Sequence, residues 1–132
     1  MTGYRSKYFR HDCGKCCYVQ ALPLWDDIIE CFPRKIRPTD IDGMVEINGK
    51  VLILEEKSAG KSLEEGQRRA LKALWKTNGV TLIVFRPVAN SDAYIEAMIL
   101  ANDLPKQGYQ KVARAWLLDW IREWAEAAER GV

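Results

Sequence analysis

The clearest pattern in the chain lies between residues 40 and 57. Two apolar runs, Met44-Val45-Glu46-Ile47 and Val51-Leu52-Ile53-Leu54, are separated by Asn48-Gly49-Lys50. Asn-Gly between such runs is the strongest short-range hairpin signal, because a type I′ turn needs positive φ at both central residues. A two-residue loop sets the register by counting outward from it. Val45 then faces Leu52, Gly43 faces Leu54, Met44 faces Ile53 and Asp42 faces Glu55. Opposite residues share a face and successive residues alternate. Asp40, Asp42, Glu55 and Lys57 therefore gather on one face at the open end of the hairpin, while Glu56 points away.

Other elements follow from the same kind of reading. Residues 22–32 predict a short helix, with Pro23 in its first turn, Asp26 and Asp27 suited to its N-terminal dipole, and Pro33 as its stop. Its inward stripe is Leu24, Ile28, Cys31 and Phe32. Glu30 lies on its polar side. A second helix is expected over 62–78, opened by a capping box of Ser62 and Glu65 and closed by Asn78-Gly79. Its stripe is Leu63, Ala70, Leu71, Leu74 and Trp75, and Gln67 interrupts it. A polar amide on a sheet-facing stripe needs a partner, which the carboxylate face of the hairpin would supply.

Residues 80–85 form a continuous apolar run, the mark of a strand buried on both faces. A helix joins it to the hairpin, so a parallel crossover is expected. Arg86-Pro87 ends that run, and residues 94–100 predict an edge strand. Residues 110–130 read as a long amphipathic helix with Trp116, Trp120 and Trp124 at four-residue steps. That stripe suits a core, and its tryptophan content also suits a homodimer contact. The expected class is α/β (α+β), a mixed central sheet flanked by helices with a long C-terminal helix. One domain is expected over residues 1–132, made of an arm (1–22), a core (23–100) and the last helix (108–130).

Composition agrees with one globular domain: 132 residues, 48% hydrophobic, 29% charged, with nine Gly and five Pro. No apolar run is long enough to span a bilayer and no signal-peptide core is present, so a soluble cytoplasmic protein is expected. A net charge of +2 is too small to argue for a polyanionic partner, so the placement of charge must do so. Arg34, Lys35 and Arg37 precede the hairpin, Lys61 follows it, and the arm mixes basic and aromatic residues such as Arg5, Lys7, Tyr8 and Phe9. These are candidate DNA contacts; a solvated surface is the plainer alternative. The four cysteines (13, 16, 17 and 31) cluster in the first quarter of the chain. In a reducing compartment they are metal ligands or free thiols. His11, Cys13, Cys16 and Cys31 would close a tetrahedral Zn2+ site; separate thiols, with Cys31 in the core, are the other reading.

The hairpin end carries the chemistry. Two opposed carboxylates destabilise a strand pair unless something neutralises them, and a divalent cation would. Mg2+ takes one or two carboxylates and completes its shell with waters and phosphate oxygens. Asp42 and Glu55 meet that requirement, the Glu56 main-chain carbonyl lies within reach, and Asp40 is a further candidate. Such a metal lowers the pKa of a bound water and neutralises charge on a phosphate. Lys57 would orient that water or stabilise developing charge. Phosphodiester hydrolysis is the matching reaction class.

Asp42, a short strand-turn-strand, then Glu55-x-Lys57 resembles the PD-(D/E)XK nuclease superfamily. The order helix, hairpin, helix, strand is similar to its restriction-endonuclease-like αβββαβ core. Ser58 after the lysine and Gln67 in the next helix resemble the Holliday-junction-resolvase-like and virus-type replication-repair branches. The resemblance covers residues 24–86. It implies that Asp42 and Glu55 bind Mg2+ or Mn2+, that Lys57 assists the attacking water, and that Gln67 and Asp40 support the site. It further implies a DNA endonuclease selective for Holliday junctions or other branched DNA, of the kind used in repair, recombination or phage DNA processing. One departure is that Pro38 does not adjoin the metal aspartate, which makes Asp40 a competitor for that role; the pairing with Glu55 favours Asp42. The rival reading is a non-catalytic, zinc-stabilised nucleic-acid-binding protein on the same fold. A purely structural hairpin would need a β-bulge to turn Asp42 or Glu55 away.

Overall fold

A computed structural model describes residues 27–36 and 38–131. The chain divides into two units, residues 1–38 and 39–132. In the first, residues 27–30 are helical and the helix gives way at Cys31, before a 3-10 turn over Pro33–Lys35. Ile28 is half-buried, but Cys31 and Phe32 are exposed rather than part of an inward stripe. The Cys31 thiol donates to the Asp27 carbonyl, one helical turn back, at 3.3 Å.

The second unit opens with the hairpin. Strands β1 (Gly43–Ile47) and β2 (Lys50–Glu56) are antiparallel, with Val45 opposite Leu52 and Gly43 opposite Leu54. Asn48 has φ 49° and Gly49 φ 82°, the left-handed pair that a type I′ turn demands. The Asn48 amide donates to the carbonyls of Ala128 (3.1 Å) and Glu129 (3.2 Å). Those carbonyls belong to the last turn of the final helix, where the regular ladder of donors runs out; the Ala128 carbonyl also accepts from the Gly131 N–H at 3.1 Å. The hairpin tip thus caps a helix that lies about 80 residues later in the chain.

Helix α1 (Glu65–Trp75) leads to β3 (Val80–Pro87), which runs parallel to β2 with Glu55 beside Val84. The helix is shorter than residues 62–78, and the expected capping box does not form. Glu64 is the N-cap without a side-chain bond, and Glu65 stands at the first helical position rather than the third, so Ser62 is two residues too early to cap; its hydroxyl accepts from Arg86 Nη1 at 3.4 Å. Strand β4 (Tyr94–Leu100) pairs antiparallel with β3, and β5 (Gln110–Ala113) with β4. Therefore β4 is an interior strand, not an edge. Residues 110–113 join the sheet, and helix α2 spans only Arg114–Glu129. A four-residue stretch carries too little periodicity to separate the two states; pairing Val112 with Ile95 decides for strand.

The sheet order is β1-β2-β3-β4-β5, parallel only between β2 and β3. Among the described residues, two strands precede α1 and two follow β3. The result is a mixed sheet flanked by helices, of the α+β class. Alternation along the strands builds two cores. Ile53, Leu82, Val84 and Leu100 pack under Leu71 and Trp75 of α1. Leu52, Ile83, Ala97 and Ile99 pack under Leu117 of α2. Trp120 and Trp124 join the second core, but Trp116 is 48% exposed. Steps of four residues advance about 40° each around a helix, so three successive tryptophans fan out and the first leaves the core. Leu74, at the margin of the α1 stripe, is also exposed. Among the described residues, no helix is long and apolar enough to cross a membrane.

Candidate active site

The backbone ladder of the hairpin ends at Gly43 and Leu54. One residue farther on, side chains take over the pairing. Asp42 N–H donates to Glu55 Oε1 at 2.9 Å, and Glu56 N–H donates to Asp42 Oδ2 at 2.9 Å. Each carboxylate accepts from the backbone of the opposite strand. This reciprocal clasp holds two like charges together at the strand end, where repulsion alone would part them.

Glu55 is 2% exposed, the one charged side chain buried among the described residues. Withdrawing a carboxylate from water costs several kcal/mol unless hydrogen bonds replace the lost hydration. Gln67 supplies one: its Nε2 donates to Glu55 Oε2 at 3.0 Å. At its other end Gln67 Oε1 accepts from Lys57 Nζ at 2.6 Å. An ammonium only donates and a carboxylate accepts, so the two neighbours determine which way the amide faces. Local sequence explains the meeting. Glu55 and Lys57 are two residues apart and share a face, and Gln67 stands four residues from Leu63 and from Leu71, on the sheet side of α1. Among the described residues, no buried side-chain nitrogen or oxygen lacks a hydrogen-bond partner.

A second charged group adjoins this one. Lys57 N–H donates to the Phe85 carbonyl at 2.9 Å, which brings Arg86 alongside on the α1 face. Arg86 Nε binds Glu96 Oε1 at 3.0 Å, and Nη1 binds the Lys61 carbonyl at 2.7 Å. The guanidinium lies 3.6 Å from the centre of the Tyr109 ring. Burial pushes the Tyr109 hydroxyl above the usual tyrosine range, with Arg86 pulling the other way and Glu96 adding to the rise. These contacts brace the loop of residues 58–64 that leads from Lys57 into α1. Sequence reading missed this group. Its one local signal was Arg86 at an inward position, two residues after buried Val84.

The other expected site residues fall as follows. Asp40 is exposed, precedes β1 and, among the described residues, has no hydrogen bond or ion pair to the cluster. Glu56 is exposed and enters through its N–H. Lys61 is exposed, and its carbonyl serves Arg86. Arg34 is exposed in the first unit. His11, Cys13, Cys16 and Arg37, with the side chain of Lys35, lie outside the described residues. Of the expected zinc ligands only Cys31 is described, and it is exposed.

Among the described residues, no group of three or more His, Cys, Asp or Glu is arranged for a metal ion. Asp42 and Glu55 make a pair. Two adjoining carboxylates are an all-oxygen donor set, which fits a hard cation that fills its remaining positions with water and substrate oxygens. They do not fit a thiolate-bound zinc. Comparison with family models, curated proteins and solved structures returns no match for this chain.

Proposed function

We propose that this chain is a metal-dependent nuclease of PD-(D/E)XK type that hydrolyses phosphodiester bonds in DNA. One observation carries the reading: buried Glu55 is tied to Asp42 on one side and, through Gln67, to Lys57 on the other. Structural hairpin ends have no need of such a chain of bonds. Mg2+ or Mn2+ held by Asp42 and Glu55 would supply an acidified water and neutralise phosphate charge.

The protein's own residues do the rest. Lys57 Nζ uses one donor on Gln67 and has three in all. The others face a water or the negative charge that develops on the phosphate. Gln67 stands between Lys57 and Glu55, which keeps the ammonium from collapsing onto the carboxylate. Burial of Glu55 excludes water from one side of the site, and that strengthens each charge interaction within it.

The test is a cleavage screen with Mg2+ and Mn2+ over branched, flapped and linear DNA. Wild type is expected to cut at least one substrate, and Lys57→Ala to lose that activity while its circular dichroism spectrum stays unchanged. Equal cleavage by the variant and wild type would end the assignment.

A further inference from the structure

Beyond Gln67, helix α1 turns another side toward a cavity of about 560 Å3, walled opposite by the loop of residues 101–109. Its floor is apolar and aromatic, formed by Trp75, Met98 and Leu100. Its rim is cationic. Arg68 and Lys72 stand on α1, Lys76 at the helix C-cap, and Lys106 on the facing loop. No acidic residue is among the described residues that line it. Among the described residues none of the four cations is in a salt bridge, whereas neighbouring Arg69, on the outer side, pairs with Glu65 at 3.4 Å.

Arg68, Lys72 and Lys76 recur every four residues, about 6 Å of helix rise per step. A single anionic group would need a cluster of cations, not a row. A row beside an aromatic-floored cavity matches a strand with regularly spaced phosphates and one base turned inward, the general chemistry of single-strand binding. Bases within a duplex are already stacked and paired, so an unpaired base is the one free to turn into the recess.

The row also leads to the catalytic cluster. Ser62 and Tyr109 line the near end of the cavity, and both contact Arg86 or its loop. Arg68 follows Gln67 directly in α1, so the first turns of that helix carry the cavity on one side and the Glu55 site on the other.

We propose that this cavity is a single-strand subsite. It holds one unpaired nucleobase while Arg68, Lys72 and Lys76 contact successive phosphates of the same strand, which extends over α1 to the Glu55 site. The link to cleavage rests on the nuclease reading; the binding does not.

The experiment measures anisotropy of a fluorescent oligothymidylate, a blunt duplex of equal length and a thymidine monophosphate competitor, with the full chain and no added Mg2+ or Mn2+. The single strand should bind about tenfold tighter than the blunt duplex, the size of one stacked base. Lys72→Gln and Lys76→Gln should each weaken single-strand binding and shallow its salt dependence, by about 0.7 in the log–log slope for each phosphate released. A blunt duplex bound as tightly as the single strand, or both variants with unchanged slopes, would overturn the subsite. So would the mononucleotide competing as well as the oligomer, since that marks a small-molecule pocket. Absence of cleavage on every DNA, with single-strand binding and its variant effects intact, counts against the nuclease reading alone.

Discussion

Gln67 Oε1 lies 2.6 Å from Lys57 Nζ, and the amino end of the same amide donates to Glu55 at 3.0 Å. One neutral side chain thus joins a cation to a buried anion without letting them touch. Gln67→Ala should leave Glu55 short of a donor at a site with little access to water. Losing a hydrogen bond to a buried charged group costs about 1–3 kcal/mol. Urea unfolding should show that loss, and cleavage should fall with it. Gln67→Glu should be worse, since it adds a third carboxylate to the cluster, beside Glu55. A Gln67→Ala variant as stable as wild type would show that the bridge contributes nothing to holding Glu55.

Asp42 has two roles that one substitution separates. Its Oδ2 accepts from Glu56 N–H, a task an amide oxygen can also perform. Asp42→Asn should therefore keep stability within about 0.5 kcal/mol of wild type while losing the charge that holds a divalent cation. Calorimetric titration with Mn2+ should show weak or no binding in Asp42→Asn and near wild-type binding in Asp40→Ala. The opposite ranking would transfer the metal role to Asp40.

Much of this site is legible in the sequence because short-range rules carry it. Asn48-Gly49 sets a register that brings Asp42 to Glu55, and Gln67 stands out as an amide on an apolar stripe. The illegible part needs tertiary pairing. Arg86, Glu96 and Tyr109 come from β3, β4 and the loop before β5, and meet only when those strands align. Residues 110–113 continue the polar and apolar pattern of the helix behind them, and only contact with β4 makes them a strand. Trp116 misleads for a geometric reason, since four-residue spacing drifts around a helix. The capping box at Ser62 fails because the helix starts two residues later than that box requires, with Glu64 as its N-cap.

The hairpin turn offers a test of the register itself. Gly49 has φ 82° with open space around the position of a Cβ, so Gly49→Ala meets no clash and isolates backbone strain. A left-handed conformation costs an L-residue about 1–2 kcal/mol. Asn48→Ala should cost more than strain alone, because its amide also holds the carbonyls of Ala128 and Glu129. Hydrogen exchange should report the difference: Asn48→Ala frays the end of α2, and Gly49→Ala does not. Equal protection at α2 in the two variants would remove Asn48 as the cap.

Tyr109 makes stability depend on alkaline pH. Burial raises its pKa above the ordinary 10.0 and outweighs the nearby Arg86 charge, which favours the phenolate. The folded chain therefore keeps this proton where an unfolded tyrosine releases it. The resulting stabilisation is fully present below about pH 10, the unfolded value, and is lost as pH rises through the folded one. Tyr109→Phe carries no such proton and should show a shallower decline of unfolding free energy above about pH 10. Ultraviolet titration of the phenols should in parallel lose one tyrosine that ionises above the ordinary range. Identical alkaline slopes in Tyr109→Phe and wild type would show that the Arg86 charge, not burial, governs this hydroxyl.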